Sequence, residues 1–168
     1  FDINNEQIYR KYRTLNPTPE NIRKFILQKT IEIRRIACVN PDGTPMMPAQ
    51  KMELLKLVIQ NYRDGLLNID DIDKVSVFSR DQDMIGMLMG NAHVGLDVMI
   101  TKQSMGMISR YEFRNLTYIR LHKTTDSVRQ IRSRAINYEL VRIAELVIEE
   151  QYHVLANIRF FLYIDMRM

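Results

Sequence analysis

The chain holds one cysteine, Cys38, and no tryptophan among its 168 residues. A single thiol excludes an intrachain disulfide, so the sequence reads as a protein of a reducing, intracellular compartment or of a virion-like assembly. Glycine and proline are scarce, at six and five residues. Neither occurs from Met107 onward. No apolar run reaches the roughly 18 residues that a membrane-spanning helix needs. The stretch Phe160-Phe161-Leu162-Tyr163-Ile164 is far too short. The first residues lack the apolar core of a signal peptide, and an opening Phe1 in place of methionine reads as a processed or partial product.

Catalytic signatures are missing too. The sequence has no phosphate-binding glycine loop, no G-x-S-x-G elbow and no dinucleotide fingerprint. His93, His122 and His153 lie far from one another and from Cys38, which excludes the usual metal-ligand spacings. The acids Asp70, Asp71 and Asp73 lack the glycine and closing glutamate of a calcium loop. With Asp81 and Asp83 they read as turn and helix-start residues. The expectation is therefore no metal and no cofactor.

What is present is an ordinary globular composition, 46% apolar and 26% charged. The length suits one domain spanning 1–168, any subdivision falling near 66–109. The net charge is +4, and it is concentrated in one segment. Between Arg110 and Arg134 seven basic residues (Arg110, Arg114, Arg120, Lys123, Arg129, Arg132 and Arg134) face two acids, Glu112 and Asp126. Tyr111, Phe113 and Tyr118 are interleaved with them. Arginine favours bidentate contacts with phosphate or carboxylate, and aromatic rings stack on bases. These ten residues form a candidate polyanion-binding face. The same pattern also fits ion pairing with a protein partner or a solvated surface.

A second feature is methionine. Six of the eleven lie between Met84 and Met107, among four of the six glycines. Flexible thioethers make adaptable contact surfaces, so Met84, Met87 and Met89 are candidate protein contacts, joined by Ile158 and Phe161 from the C-terminal pattern. A loosely specified core is the alternative.

The periodicity predicts a mainly α fold. A short helix is expected over 4–14. Thr18, Pro19 and Glu20 signal the start of a second, whose apolar face runs to about Cys38. The prolines and Asp42-Gly43 between Asn40 and Pro48 make a loop. A third helix is expected over 49–64, capped by Gly65. Lys74–Ser79 and Asp97–Thr101 alternate like strands, Ser79 to Gln82 and Ser109 to Glu112 fit capping boxes, and Leu116–His122 is strand-like. From Thr125 a helix of about 40 residues follows the apolar spacing. It either breaks near Glu149–His153 or packs along a partner.

The best reading from sequence is a non-enzymatic assembly subunit of a larger complex, such as a viral or nucleoprotein shell. Its partners would be other protein subunits, its own copies included, or nucleic acid. A nucleic-acid-binding domain using residues 110–134 is the alternative. An enzyme without a recognisable motif comes third.

Overall fold

The computed structural model describes residues 1–28, 30–72, 86, 90 and 94–167. The described residues form two compact units, Phe1–Lys102 and Gln103–Met168. Each has its own apolar cluster.

In the first unit, helix α1 (Pro19–Ile26) starts where the sequence places it. Thr18 Oγ1 accepts the Asn21 amide at 3.2 Å, Pro19 needs no intrahelical partner, and Glu20 pairs with Lys24 one turn on. The helix stops at Ile26, well short of Cys38. Ile31, Ile33 and Ile36 are β-branched and prefer extended backbone. The chain there runs alongside residues 13–15, with Arg35 N donating to Arg13 O and Leu15 N to Arg35 O. The expected helix over 4–14 is reduced to a 3-10 turn, Gln7–Tyr9.

Helix α2 (Pro48–Asn61) follows the Asn40–Pro48 loop and buries Met52, Leu55, Val58 and Ile59. Gly65 does not cap it; it opens strand β1 (Gly65–Ile69). β1 pairs in parallel with β2 (Leu96–Ile100). A side chain at Gly65 would press on the hydroxyl end of Tyr62, which would have to shift to admit it. Residues 1–2 run between residues 36–38 and the end of β1, bridged in parallel to Ala37 and to Asp70. The expected strand over 97–101 is present; that over 74–79 and the capping box at 79–82 lie outside the described residues.

In the second unit, Ser109 and Glu112 form the expected capping box. Ser109 Oγ accepts the Glu112 amide at 3.2 Å, and Glu112 Oε2 accepts the Ser109 amide at 2.7 Å. They open helix α3 (Arg110–Asn115). Strand β3 (Tyr118–His122) pairs antiparallel with β4 (Phe161–Asp165). Helix α4 (Tyr138–His153) covers one face of this pair through Val141, Ala144 and Ile148.

The 40-residue helix is thus corrected. Val128–Ile131 is a 3-10 turn, Asn137 sits at φ +55 before α4, and Ala156 at φ +52 follows it. The apolar spacing of 154–164 ends in a strand, because Phe161, Leu162, Tyr163 and Ile164 pack well on a pleated surface. The mainly α expectation is likewise corrected: a parallel and an antiparallel strand pair, each packed with helices, make a mixed α/β protein.

Candidate functional site

A cleft of about 660 Å³ lies in the first unit. That is the size of a small-molecule site. α1 supplies Ile22 and Phe25, the extended segment 31–36 supplies Arg34 and Arg35, and β1 supplies Leu67 and Asn68. Phe25 and Tyr62 stack with ring centroids 6.1 Å apart and planes 19° from parallel. The Arg34 guanidinium lies 6.0 Å over the Phe25 ring. Two polar atoms of lining residues are buried with no hydrogen-bond partner among the described residues, the donor Arg34 Nε and the acceptor Asn68 Oδ1. Buried polar atoms without a partner are costly.

The carboxyl end of β1 carries the acids. Asp70 Oδ2 accepts the Tyr9 hydroxyl at 2.9 Å. Burial, reinforced by this hydrogen bond, pushes the Tyr9 phenol up to about 12. Asp71 Oδ2 accepts Asn4 Nδ2 at 2.8 Å, on a backbone at φ +56. Beside them Asp2 and Arg35 form a buried ion pair, Nε to Oδ2 at 2.8 Å. Asp2 Oδ1 accepts the Glu6 amide, and Arg35 also donates to Asn5, so both ions are well coordinated. Among the described residues, no three metal-ligating side chains cluster. The cleft arginines are engaged by the chain itself: Arg34 by Glu32, Arg35 by Asp2, and Arg63 by the last carbonyls of α2. Cys38 is 1% exposed, and burial raises its thiol to about 11, which makes it an inert core residue.

The sequence-predicted polyanion residues are spread over a helix, a strand and a 3-10 turn. Arg110, Tyr111 and Arg114 are exposed on α3. Phe113 is 1% exposed at the centre of the second core and has no surface to offer. Tyr118 and Arg120 stand outward on β3. Lys123 is tied to Glu149, whose carboxyl is held below its usual range chiefly by that hydrogen bond. Arg129 and Arg132 are exposed on and after the 3-10 turn, Arg132 6.0 Å from the Tyr138 ring. Arg134 donates to the carbonyls of Gly106 and Gln130. Met84, Met87 and Met89 lie outside the described residues. Ile158 is 69% exposed, and Phe161 sits on β4.

No family model matches the chain, and no curated protein matches it by sequence. The fold does have solved counterparts. The genome packaging NTPase B204 of Sulfolobus turreted icosahedral virus 2, solved with AMPPCP, matches with a TM-score of 0.53 at 17% identity, over 94% of this chain and 70% of that one. Its complexes with ATP-gammaS and with AMP match at TM-scores of 0.53 and 0.52 and identities of 16% and 18%. The fold is similar to that of a packaging NTPase. This likeness corrects the expectation of a non-enzymatic structural subunit.

Sequence reasoning missed Phe25, Arg34, Tyr62 and Asn68 altogether, and assigned Asp70 and Asp71 to a turn. The available signal was Leu66-Leu67-Asn68-Ile69-Asp70-Asp71, an apolar strand that ends in paired acids.

Proposed function

We propose that this protein is a nucleotide-binding domain of the packaging-NTPase type, serving a virion-associated assembly whose partners are nucleic acid and other protein subunits. The observation that carries the reading is the likeness over 94% of the chain to an NTPase solved with three adenine nucleotides. The geometry of the first unit supports it. Ligands of parallel α/β sheets bind beyond the carboxyl ends of the strands, where β1 delivers Asp70 and Asp71. An acid at the end of an apolar strand is the group that holds the magnesium of a bound triphosphate in this class of enzyme. The apolar cleft, with its stacked rings, suits a purine base.

The residues fit the two halves of the ligand unequally. The base and the metal have candidate partners. The triphosphate has no glycine-rich cradle in this sequence, since the Asn40–Met47 loop binds itself through Asp42, Thr44 and Asn40.

Titration of the protein with a fluorescent ATP analogue in Mg²⁺ tests this. Saturable binding is expected, and Asp70→Asn should weaken the Mg²⁺-dependent part by about tenfold or more, since it removes an anionic metal ligand and even outer-shell partners are worth roughly 10- to 100-fold. Asn68→Leu should weaken ATP and AMP alike, since it acts at the base. No saturable binding of ATP or AMP at millimolar concentration would sink the reading.

A further inference from the structure

The outer face of the β3–β4 pair is a regular array of rings and cations. Burial alternates along β3: Ile119 and Leu121 are buried, while Tyr118, Arg120 and His122 are exposed. The register sets Tyr163 opposite Arg120 and Phe161 opposite His122. Tyr163 is 65% exposed and Tyr118 53%. The Arg120 guanidinium lies 3.9 Å from the Phe161 ring centroid and 5.8 Å from that of Tyr163. His122 stands 5.3 Å from Phe161, and Tyr163 meets Phe161 edge-on at 5.6 Å. Past the end of β4, Arg167 lies 4.8 Å over Tyr118 while bound to Asp165. Arg120 has no carboxylate partner among the described residues.

We infer that this face is a platform for single-stranded nucleic acid. Two observations select that occupant. The exposed surface is made of flat groups, rings with a guanidinium laid against them, and every base offers a π-face to such a surface whatever its sequence. The charge is complementary to phosphate: the second unit carries ten Lys and Arg against seven Asp and Glu. On the face itself Asp165 offsets Arg167, leaving Arg120 to meet a phosphate. A duplex hides its base faces and gains nothing from Tyr163. The platform is independent of the nucleotide reading, which concerns the first unit.

Fluorescence anisotropy of a labelled oligothymidylate, and of a duplex of the same length, provides the test. The single strand should bind the whole protein more tightly than the duplex at low salt. Tyr163→Ala should weaken it roughly 5- to 150-fold with the salt slope unchanged, as for a lost stacking contact. Tyr163→Phe should restore it. Arg120→Gln should reduce the slope of log affinity against log salt by about 0.7, one phosphate contact on a single strand. Unchanged melting temperatures in both variants separate binding from folding. Absence of single-strand binding, or binding indifferent to Tyr163→Ala, would overturn the inference. So would polyglutamate binding with the same Tyr163 dependence, which would assign the face to an acidic protein partner.

Discussion

His122 shows how a single residue takes its chemistry from its surroundings. Partial burial first, and then the neighbouring Arg120, lower its pKa from the ordinary 6.5. The unfolded chain therefore binds this proton at a higher pH than the folded one. The stability it contributes is complete above 6.5 and declines as the pH falls from there toward the depressed folded value. NMR titration should find His122 below 6.5, and Arg120→Gln should move it part of the way back. A His122 titrating at or above 6.5 in the native protein would refute the burial argument. The same scale explains Asp2 and Arg35. Removing one member of a buried pair strands the other, at a cost of roughly 3–5 kcal/mol, although the intact pair adds little net stability.

At the scale of elements, local signals held wherever a side chain satisfies its own backbone. Thr18 starts α1, and Ser109 with Glu112 starts α3. Ser109→Ala should cost about 1 kcal/mol, the usual worth of an N-cap, read as a shift in the denaturation midpoint with the slope unchanged. A shift indistinguishable from zero would mean that α3 is held by Phe113 alone. Apolar spacing was the weaker guide. Ile33, Ile36, Ile158 and Phe161 fall at helical intervals, yet the first two and Phe161 lie in extended backbone. A spacing of three or four residues counts neighbours along a helix that has to exist already, and Asn137 and Ala156, both at positive φ, interrupt the one expected here.

At the scale of the whole molecule, the described residues form two apolar clusters with no shared member. Leu55→Ala should raise amide exchange in α2 and β1, and Phe113→Ala should raise it in α3, β3 and α4. Each loss would be about 2–5 kcal/mol, as for a large side chain removed from a packed core. Hydrogen exchange read by mass spectrometry checks this. Deprotection spreading equally through 48–69 and 110–153 from either substitution would show a single cooperative unit instead.

The sequence by itself determined the helix starts at Thr18 and Ser109, the Asn40–Pro48 loop, the strands near 97–101 and 116–122, and the inert Cys38. Each depends on residues within a few positions of one another. Only the tertiary structure decided that 161–165 is a strand, since its partner β3 lies about forty residues away. Only the structure brought Phe25, Arg34, Tyr62 and Asn68 around one cleft, and set Arg120 against Phe161. Those groups come from separate elements, and their meeting depends on pairing and packing that no local pattern encodes. The basic segment from Arg110 to Arg134 was legible as charge. What it does was not, because the fold spreads its side chains over a helix, a strand and a turn, and buries Phe113 among them.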